Sequence, residues 1–385
     1  MRVTHVITRL IIGGAQENTI ATVLGLQQCP GLQVNLVSGL STGPEGSLES
    51  CFAAKPELLT VLPSLVRPVH PWLDAMAWRQ LTRMFRAEAP RIVHTHSGKA
   101  GVLARLAARR AGVPVIIHTV HGPSFGPFQG AISNLVFRAA ERHTAKATTH
   151  FISVADAMTR QYLAAGIGRP EQFTRIFSGF ALEPFLAARP DPALRASLGI
   201  APDDFVVGKI ARLFKLKGHG GLISAAPEII RRHPRSKFLL VGGGAWQERL
   251  RERARAEGLE NNFIFAGLIP PAEIPRYIGI MDVVAHLSRR EGLPRALSQA
   301  LAAGKPVVAF DSDGANEVCF SGQTGFLIPV GDIQSLAGRL AQLAADPALR
   351  ERLGRQGQEL ARANFSVESM VEKIRALYEK LTEPK

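Results

Sequence analysis

The sequence predicts an α/β protein built of two doubly wound parallel-sheet domains facing a cleft. Three observations predict it. Short apolar runs alternate with helical patterns along most of the 385 residues, which is how parallel strands covered on both faces read. The alternation breaks once, over residues 178–202, a stretch holding Pro184, Pro190, Pro192 and Pro202. A chain of 385 residues also exceeds what a single hydrophobic core organises.

The elements follow in order. In the first half, buried-strand runs are expected at residues 3–8, 33–38, 91–95, 113–119 and 150–154. Helical patterns separate them at 15–28, 73–87, 99–111 and 132–146. Residues 178–202 read as the linker. Beyond it the strands are expected at 205–211, 237–241, 262–266, 283–287 and 307–310. The intervening helices are expected at 221–232, 246–257, 272–279 and 293–303. The tail from Gln334 is helical, and Val367, Met370, Val371, Ile374, Leu377 and Tyr378 fall on one face at helical spacing.

Composition narrows the function classes. No apolar stretch approaches the ~20 residues of a membrane span, and the first residues, Met1-Arg2-Val3-Thr4-His5-Val6-Ile7, read as a core strand rather than a signal segment. Cys29, Cys51 and Cys319 are scattered, without a CxxC pair, so a reduced cytoplasmic compartment is expected. The net charge is +14; residues 1–190 carry 19 Lys/Arg against 10 Asp/Glu, and the rest 27 against 22. That excess fits either an arginine-rich solvated surface or attraction to anionic lipid and acidic acceptors. Aromatic residues make up only 6%, and no basic run interleaves with them, so nucleic acid is not an expected partner.

The motifs fall where strands end and helices begin, the edge at which open α/β sheets bind ligands. Ile12-Gly13-Gly14-Ala15-Gln16 follows the first strand. Gly14 lets backbone amides approach an anion or a sugar, although the dinucleotide pattern GxGxxG is not met and a tight turn explains the glycines equally well. His118-Thr119-Val120-His121-Gly122-Pro123-Ser124-Phe125 closes another strand, and its loop continues through Gly126 and Pro127. His118 reads as a core residue and His121 as a ligand contact. His94 and His96 read as structural or cleft-lining, because a metal would need a third ligand and none stands at suitable spacing.

In the second half, Arg212 and Lys217 follow the strand ending Gly208-Lys209-Ile210-Ala211. Two cations there suit a diphosphate; Lys209 and Lys215 carry less weight. Leu240-Val241-Gly242-Gly243-Gly244 ends the next strand, and Gly243 is a candidate for close approach to a ligand. Glu291 precedes Gly292, Leu293 and Pro294 at what reads as the first turn of a helix. Gln299, eight residues on, is expected two turns along the same face.

Taken in this order, the Gly13-Gly14 loop, the His121-Gly122 loop, Arg212 with Lys217, the stretch Glu291-Gly292-Leu293-Pro294 and Thr324-Gly325-Phe326-Leu327 carry a resemblance. The chain resembles, over nearly its whole length, the retaining nucleotide-sugar glycosyltransferases of family 4, which have the two-Rossmann GT-B fold. Residues 94–110 and 113–125 look like members that build bacterial surface polysaccharides and lipopolysaccharide of the cell envelope. The resemblance implies that residues 1–185 bind acceptor, that 186–365 bind the nucleotide-sugar, and that 366–385 cross back onto the N-terminal domain. It implies transfer from a nucleotide-diphosphate-sugar, UDP-linked by expectation, to a lipid-linked or polysaccharide acceptor, by same-face displacement with retention. Arg212 and Lys217 would neutralise the leaving diphosphate. Glu291, with Gly292, Leu293 and Pro294, would hold the donor sugar, and His121 would lie near its reacting carbon. Gly14 and Gly243 would approach the donor. Neither metal nor other cofactor is implied, and Asp311-Ser312-Asp313 is the one DxD match. One departure stands out: the family spaces its carboxylates as Glu-x7-Glu, and the second is Gln299 here. The competing readings are a GT-B epimerase or hydrolase and a non-catalytic nucleotide-sugar-binding subunit.

Overall fold

The computed structural model describes residues 1–41, 46–126 and 128–383; Pro127 of the His121 loop lies outside them. The chain forms two compact units, Met1–Phe180 with Val367–Lys385, and Ala181–Ser366.

The first unit alternates β1 (Arg2–Ile7), α1 (Gly14–Leu26), β2 (Gln33–Ser38), β3 (Leu59–Val61), α2 (Pro71–Glu88), β4 (Ile92–His96), α3 (Gly98–Ala111), β5 (Val115–Val120), α4 (Ala131–Ala145), β6 (His150–Ser153), α5 (Asp156–Ala164) and β7 (Phe173–Arg175). The strands form one parallel sheet in the order β3-β2-β1-β4-β5-β6-β7. The order reverses between β1 and β4, so their carboxyl ends make the crevice where such sheets take ligands. The sequence reading missed the three-residue strands β3 and β7, which are too short to show a period.

The chain's last helix, Val367–Thr382, belongs to this unit. Its Met370, Val371, Ile374, Leu377 and Tyr378 are buried in one core with Val3, Ile20, Val23 and Ile117. Asn18 of α1 donates to the Met370 sulfur at 3.0 Å. A Cβ on Gly25 would lie 2.5 Å from Val371 Cγ2, so α1 and this helix touch through a glycine.

The second unit runs α6 (Glu183–Leu186), α7 (Pro192–Ser197), β8 (Phe205–Ile210), α8 (His219–Arg232), β9 (Ser236–Val241), α9 (Gln247–Ala256), β10 (Phe263–Gly267), α10 (Ile274–Gly279), β11 (Val283–His286), α11 (Arg295–Ala302), β12 (Val307–Phe310), β13 (Gly325–Ile328), α12 (Ile333–Ala345) and α13 (Pro347–Asn364). Its parallel sheet is ordered β10-β9-β8-β11-β12-β13. The reversal lies between β8 and β11. Val207, Leu222, Ile229, Leu240, Ala285, Leu287, Phe310, Leu336 and Leu340 are central to its core.

The expected linker is corrected here. Residues 181–202 belong to the second unit and contain α6 and α7. Two of their four prolines open helices rather than break them. Pro184 and Pro192 occupy first-turn positions, where a missing N–H is no loss. Asp191 caps α7 by accepting from Leu194 N at 2.8 Å. The division between the units falls after Phe180, inside the expected 178–202 stretch and five residues before the expected bound at 185, and the last helix leaves the second unit after Ser366, one residue past the expected bound at 365.

Candidate active site

At the β8/β11 crevice, two glycine-dependent turns shape the loops. β8 leads through Ala211 to the exposed Arg212, and Leu213 N donates to Gly243 O at 2.9 Å. Gly242 and Gly244 have φ of 136° and 152°, and a Cβ on either would collide with the Ala211 or Leu213 backbone. These two need glycine. Gly243, the expected one, has ordinary room, with its closest neighbour 3.6 Å from a built Cβ. Gly218 has φ 70°, and a Cβ there would lie 1.9 Å from Leu287 O. That close approach carries Lys217 to the end of β11.

Lys217 forms an ion pair with Glu291, and the two side chains are 20% and 22% exposed. Burial opposes ionisation of Glu291. Lys217 outweighs it, by its charge and by its hydrogen bond, and holds the carboxyl below the usual range. His286 Nε2 lies 3.7 Å from Glu291 Oε1, and burial keeps the ring neutral by lowering its pKa to about 3. Lys209 is fully buried, and burial together with Lys217 lowers its pKa to about 7. Neither Lys209 Nζ nor His286 Nε2 has a hydrogen-bond partner among the described residues. The Arg212 guanidinium lies 5.3 Å from the centroid of the Phe214 ring, and its carbonyl meets His219 Nε2 at 3.0 Å.

Glu291 is not in a helix. α11 starts at Arg295, four residues later. Leu293 precedes Pro294, and a residue before proline is pushed out of the helical region. The expected two-turn alignment of Glu291 with Gln299 therefore does not hold; Gln299 is a half-buried residue within α11. Gly292, Leu293 and Pro294 are buried. What fixes the Glu291 loop is Asp313, whose Oδ2 accepts from Glu291 N at 2.7 Å. Ser312 Oγ donates to Ser288 O at 2.7 Å. Asp313 has φ 47°, a strained backbone for a non-glycine residue. The DxD match is thus part of the scaffold beneath Glu291. The Thr324 motif is also structural: a Cβ on Gly325 would lie 1.9 Å from Val307 O.

In the first unit, Gly14 is exposed and opens α1, whose N-cap is Gly13. His121 is half-buried just beyond β5. Its Nε2 meets His96 Nδ1 at 3.1 Å. His118 is a core residue, with Nδ1 2.9 Å from Thr95 Oγ1. The third histidine that spacing did not reveal is His5, paired in register with His94 across β1 and β4. His5, His94 and His96 bring one ring nitrogen each within 4.8 Å of one another. Each of their six nitrogens has a hydrogen-bond partner within the protein.

Comparison with known proteins decides the family. The model for glycosyl transferases group 1 matches residues 190–360, and that for the glycosyl transferase 4-like domain matches 13–176. The UDP-Gal:alpha-D-GlcNAc-diphosphoundecaprenol alpha-1,3-galactosyltransferase of Escherichia coli is 30% identical over 82% of each chain. This protein belongs to the group 1 glycosyltransferases. Another relative, the putative glycosyltransferase EpsD of Bacillus subtilis (strain 168), is 31% identical over 78% of this chain and 79% of its own. Anabaena Alr3699/HepE, solved with UDP and glucose, superposes with a TM-score of 0.82 at 25% identity, covering 98% of this chain and 99% of its own. Both Rossmann-like sheets of this glycosyltransferase are accordingly those of the GT-B fold.

Proposed function

We propose that this glycosyltransferase moves a sugar from a UDP-sugar to a lipid-linked or polysaccharide acceptor in surface-polysaccharide assembly, with retention of anomeric configuration. The observation that carries the reading is the Lys217–Glu291 pair at the β8/β11 crevice. A cation and a carboxylate at one sheet edge match the two halves of a nucleotide-diphosphate-sugar. A bound diphosphate draws Lys217, with Arg212 beside it. Glu291, held from behind by Asp313, takes the sugar hydroxyls. The same cations meet the charge that grows on the departing diphosphate. The leaving phosphate then accepts the acceptor's proton on the face it vacates. The Ala181–Ser366 unit binds the donor, and the unit containing Gly14 and His121 binds the acceptor, with His121 near the reacting carbon. A relative whose name specifies UDP-Gal with a diphosphoundecaprenol acceptor, and a neighbour solved with UDP, support the choice of donor and acceptor.

The acceptor-side unit also exposes large apolar residues. Val69 and Trp72 stand at the start of α2, and Ile132 and Leu135 at the start of α4. Arg67 is exposed just before the first pair, and Arg79 and Arg83 are exposed further along α2. Apolar tips with cations suit an anionic lipid surface. No helix among the described residues is long and apolar enough to cross a membrane, so the contact proposed is peripheral, at the cytoplasmic face.

The test is product analysis. Purified protein with a set of UDP-sugars and a polyprenyl-diphosphate-linked saccharide is expected to give a glycoside with the donor's anomeric configuration, read by NMR. The yield should be unchanged in EDTA, because Arg212 and Lys217 supply the positive potential. Donor consumption without glycoside would establish an epimerase or hydrolase. Loss of the product in EDTA, restored by magnesium, would overturn the metal-free reading.

Gln299 carries a separate expectation. Facing the donor's ribose from α11, Gln299→Glu should tighten UDP binding by about 1 kcal/mol, through a charge-assisted bond to a hydroxyl. Calorimetry would measure it; unchanged or weaker binding would move Gln299 out of the donor site.

A further inference from the structure

Six polar groups of the first unit form a hydrogen-bonded chain that reaches His121. Thr119 Oγ1 lies 2.6 Å from His94 Nε2. His94 Nδ1 lies 2.5 Å from the Tyr378 hydroxyl. That hydroxyl lies 3.3 Å from His5 Nε2. His5 Nδ1 lies 3.0 Å from His96 Nε2, and His96 Nδ1 lies 3.1 Å from His121 Nε2. All but His121 are buried. His5, His94 and His96 each use both ring nitrogens.

A neutral imidazole has one N–H and one bare nitrogen. Burial lowers the pKa of His5 to about 3 and those of His94 and His96 well below the ordinary value, so these three remain neutral. Once one hydrogen in such a chain is oriented, every other one must point the same way. Thr119 orients it. Its buried hydroxyl has His94 Nε2 as its one hydrogen-bond partner among the described residues. A buried O–H without an acceptor costs more than an unfilled lone pair, so Thr119 donates to His94. His94 Nδ1–H then donates to Tyr378, Tyr378 to His5 Nε2, His5 Nδ1–H to His96, and His96 Nδ1–H to His121 Nε2.

We infer that this chain is a tautomer relay: Thr119, His94, Tyr378, His5 and His96 are positioning residues that fix His121 as the Nδ1–H form, with Nε2 committed as an acceptor. Three strands, β1, β4 and β5, and the last helix of the chain thereby set the hydrogen-bonding character of one loop residue. His121 then carries its proton on Nδ1, a donor of the kind that suits a sugar or phosphate oxygen. The relay is independent of turnover; its consequence for turnover rests on the role proposed above for His121.

Selective 15N labelling of histidine, with His121→Gln to assign the signal, reads the tautomer directly. The wild type is expected to show His121 as Nδ1–H alone. Thr119→Val, nearly isosteric, removes the orienting hydroxyl, and Tyr378→Phe cuts the chain. Both should bring in the Nε2–H form, and Thr119→Ser should restore the wild-type spectrum. His121 found as Nε2–H in the wild type, or unchanged in both variants, overturns the relay. Kinetics separate the two levels. If His121 works at the reacting sugar, Thr119→Val should lower kcat on the order of tenfold with donor KM unchanged, because it mixes the two tautomers, whereas a wholly wrong tautomer costs about 10,000-fold elsewhere. A changed tautomer with unchanged kcat keeps the relay and removes His121 from the reaction.

Discussion

Lys217→Ala is expected to lower kcat/KM by roughly 30- to 1000-fold, the ~2–4 kcal/mol typical of a charged contact that strengthens in the transition state. The argument starts from the resting site, where Lys217 is paired with Glu291. When a donor binds, the ammonium is exchanged from carboxylate to diphosphate, and its worth rises as the leaving group gains charge. Two effects must be separated. Removing Lys217 also leaves Glu291 largely buried without its cation, and the carboxyl's lowered pKa depends on that cation. A group with a depressed carboxylate pKa contributes stability above its unfolded pKa, and this is lost as pH falls through the folded value. Lys217→Ala should therefore flatten the acid side of the stability profile as well as slow turnover. Glu291→Gln controls for this. It keeps shape and removes charge, so it should lower kcat through the donor sugar with the diphosphate contacts intact. Arg212→Ala, at an exposed residue, should slow turnover without changing stability. Wild-type rates in both Lys217→Ala and Arg212→Ala would remove the donor site from this crevice.

Arg105→Ala is expected to cost about 3–5 kcal/mol of stability, the range for breaking a buried ion pair by removing one partner. Arg105 on α3 meets Glu141 on α4 at 2.6 Å, with side chains 0% and 1% exposed. The guanidinium also donates to Gly101 O at 2.8 Å and Thr148 Oγ1 at 3.3 Å. Truncation leaves a carboxylate deep in the protein with no cation, plus a cavity. Replacing both partners, as in Arg105→Met with Glu141→Leu, should recover most of the loss, because neither charge is then desolvated. Urea unfolding of the two variants decides it. A single variant within 1 kcal/mol of wild type would show the pair to be solvated in solution.

The sequence alone determined the class of this protein because its evidence is local. A parallel sheet covered on both faces requires short apolar strands alternating with amphipathic helices, and that period is written along the chain. The loops that could bear chemistry were legible for the same reason: Gly14, His121, Arg212, Lys217 and Glu291 each follow a strand by a few residues. Tertiary structure decided what those residues meet. Lys217 and Glu291 are 74 positions apart, and pairing them needed the β8/β11 adjacency and the glycine at 218. His5 joins His94 because β1 and β4 are neighbours in the sheet, and Tyr378 joins both because the last helix packs on that core. Arg105 lies in the helix expected at 99–111, and only the placement of α4 against that helix buries its side chain. Pro184, Pro192 and Leu293-Pro294 were misjudged for one reason. Proline marks a discontinuity, but whether it breaks, links or opens a helix depends on which backbone N–H groups its neighbours leave unpaired, and long-range packing settles that.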